Sequence, residues 1–85
     1  METRIAHIGI IVENTGVSED INRLLHECGR YVIGRMGIPY REKNISIISV
    51  VLDAPETVTS MLSGKLGMLP GVSVKTLYSK QKSAE

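Results

Sequence analysis

Residues 45–53, ISIISVVLD, form the most strand-like stretch of the sequence and decide its fold. Successive side chains of an extended chain point to opposite faces, so this stretch divides into two sets. Both sets are mostly apolar: Ile48, Val50 and Leu52 on one face, and Ile45, Ile47 and Val51 on the other. A strand that is apolar on both faces is typical of the middle of a sheet, and we expect this one to be central.

The segment at residues 4–13, RIAHIGIIVE, repeats this two-sided pattern. Its two faces carry Ile8, Ile10 and Val12 on one side, and Ile5, His7 and Ile11 on the other. Two further strands are predicted at residues 30–40 and 72–80. The first of these contains Gly34, Gly37 and Pro39, which indicate an edge strand with a bulge or a close backbone approach.

Two helices are expected between these strands. The first covers residues 17–28, with one apolar stripe formed by Val17, Ile21, Leu24, Leu25 and Cys28. Ser18 is its expected N-cap. The second runs from a cap at Asp53 to Gly67, with Pro55 in its first turn. Its predicted apolar stripe is Val58, Met61, Leu62 and Leu66.

The order of these elements, strand-helix-strand-strand-helix-strand, defines the architecture. Two right-handed crossovers joined by a hairpin place both helices on one face of a four-stranded antiparallel sheet. The predicted fold class is therefore α+β and ferredoxin-like (βαββαβ). We expect a single domain over residues 1–80 and a flexible, polar C-terminal tail over residues 81–85.

Two helices cover only one face of such a sheet, so the other face keeps the outward apolar side chains of both central strands. Each buried Ile or Val contributes roughly 1.5–3 kcal/mol, and a contiguous exposed apolar patch usually marks an interface. We therefore expect a homo-oligomer that packs through this sheet face. The predicted interface residues are Ile5, His7, Ile11, Ile45, Ile47 and Val51.

The composition argues against several classes of function. The 85-residue chain has a net charge of +1 and no apolar run of bilayer length, so we expect neither direct nucleic acid binding nor a membrane span. Its single cysteine, Cys28, leaves no intramolecular disulfide, and the start of the chain lacks a signal-peptide pattern. Both features favour the cytoplasm. No pairing of a nucleophile with a base is recognisable, so no catalytic residue is predicted.

Several segments are distinctive when they are taken together: RIAHIGIIVEN at 4–14, IGRMGIPYR at 33–41, ISIISVVLDAP at 45–55, GKLG at 64–67 and LPGVSVK at 69–75. Over most of the chain they closely resemble the regulators of the iron-only hydrogenase system. That family is similar to ACT domains and to the C-terminal half of the nickel-responsive repressor. The resemblance implies an ACT-like variant of the ferredoxin-like fold, an oligomer and a regulatory role. It implies no catalytic residue and no particular ligand.

A small-molecule effector has two candidate sets of contacts. The loop after the first strand offers a glycine for close backbone approach and, at the start of the next helix, free N–H groups for an anion. Its residues are Glu13, Asn14, Thr15 and Gly16. Three residues of the edge strand could line the same region across a subunit interface: Gly34, Gly37 and Tyr40. The alternative interpretation is a simple turn and a bulged edge strand.

No cofactor and no metal site are predicted. His26 and Cys28 are two positions apart on a helix, which separates them by about 200° around its axis. His7 lies on a strand face, and two copies of the chain would bring together only two such ligands, fewer than a zinc or nickel site needs.

These features lead to one interpretation with two alternatives. We expect a small non-catalytic regulator that senses a ligand, or binds a partner protein, as a homo-oligomer. The first alternative is a structural interaction or assembly module for a metalloenzyme system, with no small ligand. The second is an acylphosphatase-like enzyme, which would need an anion-binding loop with an arginine that the loop at 13–17 lacks.

Overall fold

A computed structural model describes residues 2–83 of the chain. Its elements follow the predicted order: β1 (Thr3–Val12), α1 (Ser18–Glu27), β2 (Val32–Tyr40), β3 (Ile45–Ala54), α2 (Glu56–Gly67) and β4 (Val72–Ser83). In this part of the chain, neither helix has the length and apolarity needed to cross a membrane. The strands form one antiparallel sheet in the order β2-β3-β1-β4, which confirms the predicted ferredoxin-like fold.

The core lies between the sheet and the two helices. Inward-facing side chains of the central strands pair across the sheet, as Ile8 does with Val50 and Ile10 with Ile48. They pack with residues of both helices into one cluster: Ile8, Ile10, Val12, Val50, Leu52 and Ala54 from the strands, and Val17, Ile21, Leu24, Leu25, Leu62 and Leu66 from the helical side. Because both helices contribute to this one cluster, they cover the same face of the sheet.

The edge strand β2 carries the predicted bulge. Its register with β3 shifts between Val32 and Gly34, and every residue of the strand beyond Val32 is exposed. The strand begins at Val32 instead of Arg30 because residues 29–31 form a 3-10 turn. A Cβ atom added at Gly34 or Gly37 would meet no atom within 4 Å, so no close backbone approach requires glycine at either position within one chain.

The two predicted N-caps were wrong. Ser18 is the first residue of α1, and its hydroxyl donates to the carbonyl oxygen of Thr15 at 2.9 Å. A 3-10 turn at residues 15–17 precedes the helix and displaces the cap to Val17. Asp53 does not cap α2, because β3 continues through Ala54 and the helix begins only after Pro55.

Three of the four residues predicted for the apolar stripe of α2 pack in or against the core, and Met61 is the exception. Thr59, Leu62 and Leu66 are buried, whereas Met61 is 59% exposed. Residues 59, 62 and 66 follow the three-and-four spacing of one helical stripe, and a small rotation about the helix axis moves Met61 out of it. Met61 borders a cleft between the two helices, opposite Leu24, and Val58 lines this cleft while it also packs against the core.

The turn before β4 fixes the loop that follows β1. Gly71 has a φ of 74°, a conformation that side-chain-bearing residues rarely adopt. A Cβ atom at this position would lie 2.7 Å from the Cβ of Asn14. The backbone N–H of Glu13 donates to the carbonyl of Gly71 at 2.7 Å. Glycine is therefore required at position 71 both by the backbone conformation and by the loop packed against it.

β4 extends past the predicted end at Lys80. Residues 81–83, three of the five residues predicted to form a tail, belong to the strand, and Ser83 pairs with Thr3. The prediction did not foresee this pairing because the residues are polar and carry no apolar alternation. Residues 84 and 85 lie outside the described part of the chain.

Candidate functional site

The sheet face opposite the helices is the candidate site, and we call it the open face. The strand registers place on it Gly34, Met36, Ile38 and Tyr40 of β2, Ile45, Ile47, Ser49, Val51 and Asp53 of β3, Ile5, His7, Gly9 and Ile11 of β1, and Ser73, Lys75 and Leu77 of β4. All six predicted interface residues lie in this set. Their location on one face follows from the structure, and their role as an interface stays a prediction.

The two edge strands enlarge the apolar surface beyond what the sequence predicted. Ten large hydrophobic side chains of the described residues are exposed, and seven of them lie on the open face: Ile5, Ile11, Met36, Ile38, Tyr40, Ile47 and Leu77. Met36, Ile38 and Leu77 were not among the predicted interface residues. The alternation of apolar residues in β2 was the available signal, but the bulge made the direction of its side chains ambiguous.

A hollow lies near the centre of the open face, above Gly9. This glycine pairs with Ser49 on one side and with Lys75 on the other. Because Gly9 has no side chain, its neighbours surround a depression of about 330 Å³, with His7 and Ile11 among its walls. A ring nitrogen of His7, Nε2, lies 3.2 Å from the hydroxyl of Ser49. The face therefore combines projecting apolar side chains with one central hollow.

Charged groups are sparse on the open face. Within the described residues, Lys75 is the one Lys or Arg residue and Asp53 is the one acidic residue that the registers place there. They sit on opposite sides of β1, beside Gly9 and Ile5 respectively. A face with so little charge loses little hydration energy when it is covered, which suits burial against another apolar surface.

The predicted ligand loop at residues 13–16 is largely occupied by contacts of its own. The side-chain oxygen of Asn14 accepts the N–H of Gly16 at 2.9 Å, and Glu13 donates to Gly71. These bonds are those of a well-formed turn. Thr15 lies at the edge of a pocket of about 180 Å³ that Tyr40 also lines, so the structure brings these two predicted residues together.

The remaining predicted ligand residues are spread along β2. Gly34 and Tyr40 are six positions apart, which corresponds to about 20 Å of strand. Gly37 pairs with Ile48 and therefore faces the helix side of the sheet, away from the open face. Within one chain, Gly34, Gly37 and Tyr40 do not surround a common point.

The three candidate metal ligands are separated in space. His7 lies on the open face, His26 lies on the exposed side of α1, and Cys28 follows the end of α1. Within residues 2–83 no three side chains of His, Cys, Asp or Glu come together as a candidate metal site. Partial burial and the nearby carboxylate of Glu27 raise the pKa of the Cys28 thiol, and Lys65 partly offsets the rise.

Comparison with known proteins gives the family. The model of the TM1266-like family matches residues 4–76 of the chain. The members of this family are assigned as regulators of the iron-only hydrogenase system. The chain belongs to this family. The solved structure of TM1266 from Thermotoga maritima is 37% identical, with a TM-score of 0.88, and the match covers 92% of this chain and 99% of that one. No curated protein matches the chain in sequence.

More distant structures share only the fold of this TM1266-like chain. The C-terminal domain of MgtC from Mycobacterium tuberculosis aligns with a TM-score of 0.67 and 16% identity, over 98% of this chain and 95% of that one. The apo form of CPII from Thiomonas intermedia K12, a nitrogen regulatory PII-like protein, aligns with a TM-score of 0.57 and 16% identity, over 99% and 98%. Both agree with the ferredoxin-like architecture derived above.

Proposed function

We propose that the chain is a non-catalytic regulator that acts as a homo-oligomer, in which two copies pack their open faces against each other. The observation that carries this proposal is the concentration of exposed large hydrophobic side chains on the open face. Membership of a regulator family supports the regulatory role, and the iron-only hydrogenase system is the target that the family description assigns. A population shift between assembly states would transmit the signal to a partner protein.

A second copy of the chain is the occupant that the open face fits best. Four strands about 4.8 Å apart, each about nine residues long at about 3.3 Å per residue, give a face of roughly 500 Å². Two such faces bury on the order of 1,000 Å², which is the size of a small specific interface. The pairing would form a two-layer sheet sandwich with the helices outside.

The shape of the open face also supports self-association. In a two-fold dimer the same patch must be complementary to itself. Leu77, with 69% of its surface exposed, projects from β4 beside His7. The next pair of open-face residues along β1 and β4 is Gly9 and Lys75, and the hollow lies above this Gly9. A two-fold axis between these points places the leucine of each copy over the hollow of the other. This arrangement removes two projecting side chains from water at once.

Other partners suit the open face less well. RNA-binding sheets of this fold class stack bases on aromatic side chains, and Tyr40 is the one Phe, Tyr or Trp residue that the registers of the described strands place on the open face. We therefore propose no direct nucleic acid contact. Cys28 has no second cysteine with which to pair, which fits a cytoplasmic location.

Light scattering of the purified protein tests the proposal directly. We expect an oligomeric mass at micromolar concentration. Ile47→Asp should reduce it to a single-chain mass with unchanged circular dichroism, because the new carboxylate would have to be buried without a partner. Met61→Asp is the matched control: Met61 is 59% exposed on α2, and its substitution should leave the mass unchanged. A wild-type protein that is monomeric, or an Ile47→Asp variant that keeps its oligomeric mass, would contradict the proposal.

A structural assembly module without a ligand is the second candidate. The observation that favours it lies in the loop at residues 13–16, where the Asn14 side-chain oxygen and the Glu13 backbone N–H already bond within the chain. The two candidates differ in their response to small molecules. A sensor gains thermal stability from its effector, whereas a purely structural module is indifferent to it.

A further inference from the structure

A groove runs between α1 and β2 on the helix side of the sheet, and we call it the α1–β2 groove. It consists of three adjoining depressions. The first, of about 460 Å³, lies beside Arg35 and His26. The second shares Asn22 with the first, and the third shares Ser46 with the second and ends near Arg41. Each depression therefore adjoins the next through one shared residue, and β3 supplies part of the walls of the second and third.

The sequence explains why this groove is not filled. Beyond the bulge, the helix-side residues of β2 are Arg35, Gly37 and Pro39, and none of them adds apolar bulk to the core. Space remains around Gly37, where an added Cβ would meet no atom within 4 Å. The facing side of α1 carries Ser18, Asn22 and His26 at intervals of four residues, which is one polar stripe of a helix.

The α1–β2 groove is positively charged. Arg35 lies at one end of it and Arg41 at the other, and none of the described residues that line the three depressions is acidic. Asp20, in the first turn of α1, is the acidic residue nearest to Asn22 in the sequence. It forms an ion pair with Arg23 at 3.0 Å. The positive charge of the groove is therefore not neutralised by its own walls.

Arg35 is held in place across the groove. Its Nη2 donates to the side-chain oxygen of Asn22 at 3.1 Å, so the guanidinium bridges β2 and α1. Among residues 2–83 no carboxylate lies within ion-pair distance of it. A guanidinium has five N–H donors, and a planar fork of two of them matches a carboxylate or a phosphate. The contact with Asn22 positions the fork and leaves donors for a ligand.

We propose that the α1–β2 groove binds a small organic anion, with its phosphate or carboxylate held by Arg35. The depression beside Arg35 has the volume of a typical small-molecule site and an apolar floor formed by Leu25 and Val32. The anion meets the guanidinium, and the body of the ligand covers this floor. Thr15 and Tyr40, two of the predicted ligand residues, line the third depression, which lies at the end of β2 and reaches the border of the open face.

β2 connects the α1–β2 groove to the open face, because its side chains point alternately to the two sides. Arg35 and Gly37 face the groove, whereas their neighbours Met36 and Ile38 face the opposite side of the same strand. A ligand that displaces β2 would therefore move part of the open face. Binding in the groove does not require the proposed dimer, so the two proposals can fail separately.

Titration calorimetry and thermal shift with four probes test the groove: inorganic phosphate and AMP for the phosphate class, and succinate and glutamate for the carboxylate class. We expect at least one probe to raise the melting temperature and to bind with an affinity that falls with added salt. Arg35→Gln should weaken this binding at least tenfold. Lys65→Gln removes an equal charge from α2, outside the groove and from no recorded ion pair, and should leave it unchanged.

Each outcome has a defined meaning. Binding by only one class of probe identifies the anion that Arg35 recognises. Backbone amide shifts in NMR should locate the bound probe near Asn22 and Arg35, and not near Leu77, which lies on the open face at the opposite edge of the sheet. The proposal is wrong if none of the four probes binds at millimolar concentration. It is equally wrong if Arg35→Gln, with an unchanged fold, binds the probe as tightly as the wild type.

Discussion

The two faces of the sheet carry the same kinds of residue, but the helices bury one face and leave the other exposed. Ile10 and Ile11 are neighbours in β1, yet Ile10 is fully buried and Ile11 is 44% exposed. Ile10 packs against helices that cross over its face, whereas Ile11 points to the face that the connections leave uncovered. The difference shows that the right-handed crossovers, and not the hydrophobicity of a residue, decide which side of a two-sided strand becomes core.

The edge strand β2 reverses this arrangement. Its helix-side residues include the charged Arg35, while its open-face residues include Met36 and Ile38. Since every residue beyond Val32 is exposed, the layer of helices ends before it reaches this strand. Apolar surface therefore moves from the covered face to the open face between the centre and the edge of the sheet, and the α1–β2 groove lies where the helix layer stops.

The largest expected effect separates the two faces at neighbouring positions. Ile10→Ala should lower the free energy of unfolding by about 2–5 kcal/mol, because it leaves a cavity in the core. Ile11→Ala should cost no more than about 1 kcal/mol, because the surface that it removes is already half in contact with water. Urea unfolding at one low protein concentration, where association contributes little, measures both values. Equal losses would mean that the open face is as well packed as the covered face.

A smaller effect should distinguish the hollow above Gly9 from the rest of the open face. Gly9→Val should weaken dimerisation about tenfold, or about 1.4 kcal/mol. The added methyl groups fill the hollow that the partner's side chain would occupy. The fold should persist, because a Cβ atom at this position is 3.9 Å from the nearest atom, Lys75 O, and valine suits a strand.

The control for the hollow is Gly64→Ala, a glycine of α2 with nothing within 4 Å of an added Cβ. Sedimentation analysis over a dilution series gives the dissociation constants of the wild type and of both variants. If Gly9→Val and Gly64→Ala dimerise with the same constant as the wild type, the hollow takes no part in the contact.

The smallest expected effect belongs to the covered side, at Cys28. Partial burial and the nearby carboxylate of Glu27 raise the pKa of its thiol above the ordinary value in the folded chain, so the folded state holds the proton more tightly than the unfolded state. The resulting stability is present below the pKa of the unfolded state and is lost as pH rises through the raised value. Wild-type protein should therefore lose stability at alkaline pH slightly faster than Cys28→Ala. Parallel thermal melts between neutral pH and pH about 10 compare the two, and identical slopes would contradict the raised pKa.

Regular alternation made most of the fold predictable. The sets of residues that face in and out on β1 and β3 followed directly from the period of two, and the stripe of α1 followed from its spacing. The N-cap predicted at Ser18 was wrong because a 3-10 turn precedes the helix, and the one predicted at Asp53 was wrong because β3 continues through Ala54. The end of β4 failed because pairing with Thr3, and not apolar alternation, holds residues 81–83.

The candidate sites divide in the same way. The six interface residues could be placed on one face because the sequence fixes which side chains share a side of a strand. The α1–β2 groove could not be found in this way, since Asn22 and Arg35 are thirteen positions apart and meet at 3.1 Å only after the bulge has set the direction of the β2 side chains. The polar residues at every fourth position of α1 were the one available signal in the sequence.

By itself the sequence determined the order of the strands and helices, the two-sided apolar character of β1 and β3, and the family. Local periodicity and turn residues are short-range properties, so they can be recognised in the amino-acid sequence alone. Only the tertiary structure decided where the helix layer ends, which isoleucines remain in water, and which polar side chains meet across the edge of the sheet. Those features depend on the packing angle of two helices against a sheet wider than they can cover.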